Sequence, residues 1–595
     1  MKKLIYISRL LLCCLLFFTS CSKDLEVKPL GEISEAYVWS DPKLTEAFIN
    51  YIYYNFDIGD LRAMGERYAA LIDECHQWFQ WDEFNNGLIT PDVLPNWGST
   101  WSYHYQNIRN CNLFFENVDK IKFDNTLTDG KTLKDRMSGE VHFLRAHNYH
   151  MLVSLFGGVP IIKNAYDLTD DFKAKRDTYK DCIQFIVDEC DQAASMLPEV
   201  QTGANKGRAT KGAALALKAR TLLYAASDLH NTTVFPGFSN PELIGYTDAN
   251  RTARWQAAKD AAKAVIDLGI YSLYKATPAP GDSVAKNIKG YFISRNMESE
   301  DIFMASYLAL SKRNNTALSS GPNGWHCYGH NTPISELVDD YEMKNGTSFS
   351  WLNPAQAAAP YKNRDPRFYS TILYEGAYWK PRPADITGLD PVGVIQVGSW
   401  ETWDAQNNKM VEIFGLDTRK GVVDNWNGGY TGYYNHKTLD PAENGQFYGS
   451  SVPWRFFRYG EVLLNYAEAC IELGQDAEAR TYINMIRTRA GMPDITESGT
   501  ALRDRYRHER RIEFAIEHQR FYDVRRWVLG TQKLNSPVHG IQLVYKLNPD
   551  KTTSTVPTIT HYAVQTRKWL DKAYFLPILR SEMNKNDLLI QNPGY

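Results

Sequence analysis

A chain of 595 residues is longer than the roughly 250–300 that one hydrophobic core ordinarily supports, so several packed regions or a repeat architecture are expected. Its 66 basic and 69 acidic residues leave a formal net charge of -3, which supplies no field for nucleic acid or an anionic membrane. The outlier is the 13% of aromatic residues, 36 of them tyrosine and 15 tryptophan, so something in this chain uses flat rings.

The N-terminus carries a secretory signal in order: a basic start at Lys2, Lys3 and Arg9, an apolar run over 10–18, and small residues before a cysteine. The run is about half of the roughly 20 residues a spanning helix needs, so it targets the chain without spanning a membrane. Its ending, Phe17-Phe18-Thr19-Ser20-Cys21, looks like a bacterial lipobox. On that reading residues 1–20 are removed, the Cys21 sulfur takes a diacylglycerol, the new amine is acylated, and 21–40 form a lipidated tether. No later segment reads as a transmembrane helix.

Residues 41–276 show helical spacing. Ile183, Ile186, Cys190, Ala194 and Leu197 make one apolar stripe closed by Pro198, and further helices are expected over 101–121, 133–156, 210–227 and 255–268. Gly157-Gly158-Val159-Pro160 supplies the stop for the second of these. Over 277–453 the periodicity fails: these 177 residues hold 17 of the 39 glycines and 12 of the 26 prolines. Long loops are costly to order unless they carry function, so this insert is the first place to seek a ligand site. Helices return in the C-terminal part, 454–595, at 456–473, 477–489 and 502–527. The stretch from Gly460 to Gly474 and then Ala477-Glu478-Ala479 reads as a tetratricopeptide unit, helix, glycine turn, helix, with alanines permitting close approach. The expected fold class is mainly α, a tetratricopeptide-like helical repeat scaffold with a large loop-rich ligand-binding region.

Patterns for catalysis are missing: there is no GxSxG elbow, HExxH, phosphate-cradling loop or dinucleotide fingerprint. His142, His147 and His150 share a helix, but no carboxylate stands beside the last two at ligand spacing, so core or surface histidines are expected and no metal or cofactor. Arginines crowd 503–513, yet Arg505 and Glu509, Arg510 and Glu513, and Glu517 and Arg520 sit at i, i+4 or i, i+3, which answers most charge locally and argues against nucleic acid. Cys182 and Cys190 are about 12 Å apart along one helix, too far to bridge, so buried thiols are expected.

The aromatic loops say more. Trp78 and Trp81 lie between two helices, Trp97 follows in the same loop, and Trp325 and Tyr328 stand in the glycine-rich insert segment 321–329. Trp400, Trp403, Trp426, Tyr430, Tyr433 and Tyr434 follow. Any one such ring has an alternative role, pinning an irregular loop to its scaffold. As a set, rings beside Gly, Asn and Pro suit sugar rings, whose C–H faces stack on indole while polar side chains take the hydroxyls.

One run of motifs is specific. Glu140-Val141-His142-Phe143-Leu144-Arg145-Ala146-His147-Asn148-Tyr149, ending Leu155-Phe156-Gly157-Gly158-Val159-Pro160, strongly resembles the SusD/RagB family of outer-membrane nutrient-binding lipoproteins. Gly207-Arg208-Ala209-Thr210-Lys211, Leu337-Val338-Asp339-Asp340-Tyr341-Glu342-Met343, Asn363-Arg364-Asp365-Pro366-Arg367-Phe368, Arg510-Arg511-Ile512-Glu513-Phe514-Ala515 and Gln591-Asn592-Pro593-Gly594-Tyr595 agree in family order. The resemblance implies a non-enzymatic lid over a SusC-like TonB-dependent transporter, lipid-anchored in the outer membrane and facing outward, that captures an oligosaccharide. Position within the family points to Trp78, Trp81, Trp97, Trp325 and Tyr328 as the stacking residues. Peptide capture of the RagB kind is the alternative, and a surface hydrolase a more distant one.

Overall fold

The computed structural model describes residues 35–56, 67–77, 83–93, 100–123, 125–127, 130–167, 169–307, 314–446 and 449–595. Cys21, the expected signal and most of the expected tether lie outside the described residues, as do Trp78, Trp81 and Trp97.

Among the described residues the scaffold runs α1 (Pro42–Tyr54), α2 (Thr100–Asn117), α3 (Leu133–Phe156), α4 (Tyr179–Met196), α5 (Lys211–Ala226), α6 (Arg251–Ile266) and α7 (Val284–Ile293). It resumes with α8 (Tyr459–Glu472), α9 (Asp476–Arg489), α10 (Gly499–Glu513) and α11 (Gln519–Arg526). Threonine starts three of these helices: Thr132, Thr178 and Thr210 each accept from the backbone N–H three residues on, and at Thr132 the Asp135 carboxylate closes a capping box. Each such cap contributes about 1 kcal/mol. The helices stack in sequence, α2 on α3, α3 on α4, α4 on α5 and α5 on α6, and α8 continues the array by packing on α6 and on α9. Small residues set the crossings: a Cβ at Gly139 of α3 would stand 2.9 Å from Leu197. The α8–α9 turn needs Gly474 at φ +73°, the left-handed conformation that glycine adopts without strain. The chain is thus mainly α and tetratricopeptide-like.

The strands are short and serve the loops: β1 (Cys75–Gln77), β2 (Asp301–Ala305), β3 (Asn331–Pro333), β4 (Ile372–Leu373), β5 (Ser399–Asp404), β6 (Lys409–Phe414), β7 (Tyr434–Asn435), β8 (Trp454–Arg458), β9 (Pro537–Tyr545) and β10 (Thr558–Thr566). β1 pairs antiparallel with β3, Gln77 opposite Asn331, and β2 and β4 pair with β8 and β7. One four-stranded sheet has the order β10–β9–β5–β6, with β9 and β5 parallel. The hairpin β9–β10, from the C-terminal part, therefore completes a sheet begun in the insert.

Several expectations change. Residues 456–458 are strand, because β8 finds a partner in β2, and the helix begins only at Tyr459. The helix expected over 502–527 is two, α10 and α11, parted where Ile516 and His518 take positive φ. No glycine or proline marks that break. Tertiary partners impose it: Lys437 Nζ donates to the Glu513 and Ala515 carbonyls at 3.0 and 3.1 Å, and Ile516 N–H donates to Glu74 Oε2 at 3.3 Å. The insert, read as loops and short strands, also contains α7.

The arginine-rich helix is answered across the fold instead of along itself. Glu513 takes Arg458 at 2.8 Å, Arg367 at 3.2 Å and Arg489. Glu509 takes Arg367 at 2.5 Å and Arg487 at 2.7 Å, Arg510 pairs with Asp523 at 2.8 Å, and Arg511 reaches Asp73. Burial alone would raise the Glu509 carboxyl, but Arg367 and Arg487 outweigh it and hold it at about 2. Of the three histidines of α3, His147 and His150 are buried in the core and His142 is partly buried. His142 faces Glu189 at 3.1 Å, His147 stacks on Phe56 with ring centres 3.7 Å apart, and His150 Nδ1 lies 2.9 Å from the Thr221 hydroxyl. Cys182 and Cys190 are both buried on the apolar face of α4, where Ala193 is buried and Ala194 is partly buried against the same core.

Candidate ligand-binding site

β3 holds the end of the Tyr328 loop. Residues 321–329 close on themselves through Gly329 N–H donating to Gly321 O at 3.0 Å, and they run directly into β3, whose partner β1 ends at Gln77. Within that loop His326, at φ +61°, lies between Asp424 at 2.7 Å and Asp385 at 3.1 Å, which ties the loop to two others.

Trp325 and Tyr328, both expected as stacking residues, have different surroundings. Trp325 is only 4% exposed, packs against Leu373, Trp379 and Tyr434, and donates its indole N–H to Pro381 O at 3.0 Å. The Arg382 guanidinium sits 3.6 Å above its ring and is itself fixed by Asp390 and Asp417 at 2.8 and 2.9 Å. With one face covered and its N–H used, Trp325 anchors the loop and offers no open ring to a ligand. Tyr328 is half-buried, its ring centre 5.1 Å from His330 and 6.2 Å from Trp426, and Trp426 is 58% exposed. These two rings, tilted by 38°, form an open aromatic pair.

Behind Trp426 the surface folds inward. Arg419 Nη1 donates to the Trp426 and Gly428 carbonyls at 3.0 and 3.1 Å, which sets the Trp426 turn, and its guanidinium lies 4.2 Å from the Tyr430 ring centre. Tyr430 also meets the edge of the buried His76 ring at 5.3 Å, and its carbonyl accepts from the Tyr562 hydroxyl on β10. Burial, aided by the positive charge of Arg567, lowers His76 to about 3, so that imidazole is neutral. Between the 414–434 segment and the sheet lies a cavity of about 510 Å³, bordered by Ser399, Thr418, Arg419, Lys420, Tyr430 and Tyr562 among others. A second cavity of about 390 Å³ lies between α2 and the C-terminal segment, walled by Trp101, Tyr105 and Phe172, far in sequence from these loops and mostly apolar. Rings together with convergent hydrogen-bonding groups mark the first as the stronger site for a polar ligand.

Comparison with known proteins agrees with the fold. The SusD family model matches residues 296–595, and a second model, described as starch-binding and associating with the outer membrane, matches residues 25–223. SusD-like protein P2 of Formosa agariphila is 31% identical over 98% of each chain. The chain belongs to the SusD family. Among solved structures, a SusD-like protein from Bacteroides fragilis superposes with a TM-score of 0.73 at 28% identity, covering 96% of this chain and 100% of that one. A SusD-like carbohydrate-binding protein from the same species gives 0.68 at 22%, covering 93% and 99%.

In this SusD-family chain the open ring beside Tyr328 belongs to Trp426, one of the insert aromatics but not one of the five expected by position. Arg419 and Tyr562 escaped sequence reasoning altogether. Arg419 at least adjoins the run of Gly, Asn and Tyr residues at 421–434. Tyr562 comes from a hairpin more than 120 residues away, and no local pattern announces it.

Proposed function

We propose that this chain captures an oligosaccharide at the outer membrane, stacks it on Tyr328 and Trp426, and passes it uncleaved to a SusC-like TonB-dependent transporter. The observation that carries the proposal is the open Tyr328–Trp426 pair beside a polar-rimmed cavity of about 510 Å³. Membership of the SusD family supports it, as does the carbohydrate-binding description of a relative with this fold. Trp78, Trp81 and Trp97 enter the proposal as further stacking residues on sequence grounds. Trp325 enters it as the anchor that holds Tyr328 in place. Lipid on Cys21 tethers the protein and leaves it facing the cell exterior.

The non-enzymatic part of the proposal has support in how nearby carboxylates are engaged: Asp417 by Arg382, and Asp424 by His326. Each stacked ring adds about 0.5–1.5 kcal/mol beyond burial, so micromolar affinity assembled from several contacts is expected. Calorimetry against a panel of oligosaccharides and peptides tests the reading. Saccharide binding that weakens in Trp426→Ala and Tyr328→Ala supports it, and binding of peptides alone overturns it in favour of peptide capture.

A further inference from the structure

The cavity behind Trp426 carries an unbalanced charge. Arg419 is half-buried and Lys420 exposed at its rim, and among the described residues neither meets a carboxylate within ion-pair distance. The acids around the cavity are engaged elsewhere. Asp417 is clamped by Arg382, Glu412 accepts from the Ser399 hydroxyl at 2.7 Å, and Glu375 accepts from Val397 and Gly398 N–H at 2.7 and 3.0 Å. Burial raises Glu375 to about 7, so it carries only about half a negative charge at neutral pH.

Arg419 keeps donors in reserve. A guanidinium has five N–H groups in a fixed fork. Nη1 supplies both bonds to the Trp426 turn, and Nε and Nη2 have no partner among the described residues. The Tyr430 ring holds the guanidinium plane from one side, which leaves the free edge of the fork available to a planar or tetrahedral anion. Tyr430 and Tyr562 add ring surface, and Thr418 and Gln542 add hydroxyl and amide groups around the same cavity.

The geometry points to an anion subsite here, in which Arg419 and Lys420 bind the carboxylate or sulfate of an acidic sugar whose neighbouring unit stacks on the Tyr328–Trp426 pair. This inference rests on the glycan-capture reading and narrows it to acidic oligosaccharides. A neutral glycan would leave both cations without a counter-charge. A phosphate-free, acid-bearing saccharide supplies the anion and the stacking face together.

The test is calorimetry of the purified chain with matched probes: oligogalacturonides and alginate oligosaccharides against their methyl esters for carboxylate, and carrageenan against desulfated carrageenan oligosaccharides for sulfate. The acidic member of at least one pair is expected to bind about tenfold or more tighter than its neutral partner, since charge-assisted bonds are the strong ones. That advantage should shrink as salt is raised. Lys420→Gln, at an exposed position, and Arg419→Gln should each cut the acid-to-neutral ratio by several-fold. A normal melting profile checks that each variant is folded, and Lys420→Gln serves if Arg419→Gln is not. Equal binding of acid and neutral probes overturns the anion subsite while leaving glycan capture standing. Binding of no saccharide overturns both.

Discussion

Removing Trp325 separates an anchoring ring from a ligand-stacking ring. Trp325→Ala would vacate a site that is 4% exposed, break the indole bond to Pro381 O, and strip the Arg382 guanidinium of the ring 3.6 Å beneath it. A buried tryptophan covers about 150–250 Å², which at about 25 cal/mol per Å² sets an upper bound near 4–6 kcal/mol. Measured tryptophan truncations fall at about 3–5 kcal/mol, and the hydrogen bond, worth about 1 kcal/mol, is part of that sum. We expect a loss of about 4 kcal/mol. For a chain of this length unfolding as one unit, that lowers Tm by about 3 °C, given an unfolding entropy of about 2.1 cal/mol/K per residue. Trp325→Phe, which keeps most of the packing, should lose about 1 kcal/mol and retain binding. Differential scanning calorimetry gives the stability and titration calorimetry the binding. A Trp325→Ala protein with unchanged Tm that no longer binds any glycan would refute the anchoring role.

Other parts of the fold make further expectations. Glu513→Gln leaves Arg367, Arg458 and Arg489 around an uncharged amide, and the loss of one partner from a buried ion network should cost about 3–5 kcal/mol by thermal unfolding. Acid should destabilise the chain below pH 6.5. Burial lowers His104 to about 4 and His150 and His518 to about 3, so the unfolded state takes up these protons first, costing about 1.4 kcal/mol per histidine per pH unit until the folded pKa is reached. Glu74, Glu375 and Asp339, raised by burial to about 8, 7 and 6, work the other way, but His76, His230 and His330, lowered to about 3, 3 and 4, add to the first three histidines, so Tm measured from pH 6.5 to 5 should fall. Burial pushes the thiols of Cys111, Cys182, Cys327 and Cys470 up to about 12, so peptide mapping should find them alkylated only after unfolding.

Local chemistry wrote the scaffold plainly into the chain. The Thr132 and Thr178 caps, the stripe from Ile183 to Leu197 and the Gly474 turn each act over a few residues, and each helix they announce is present. The misreadings share one cause. The 456–458 strand, the break at 514–518 and the long-range partners of the arginines depend on groups far away in sequence: β2, Lys437, Glu74, Asp73 and Glu342. The same holds at the candidate site. Tyr328 could be picked from its glycine-rich setting, but nothing in that setting distinguishes it from Trp325, three residues earlier. Burial decides between them, and burial comes from Arg382, Trp379 and Tyr434.

The most direct test of glycan capture is titration of the purified chain and of Trp426→Ala with the saccharide that binds best in the panel. Trp426 is 58% exposed, so its removal should change stability by no more than about 0.5 kcal/mol. Loss of one stacked ring should weaken binding by about 0.5–1.5 kcal/mol, roughly two- to twelvefold in Kd. Unchanged saccharide affinity in a Trp426→Ala protein of normal Tm would contradict the site, and a wild-type chain indifferent to every saccharide offered would contradict the function.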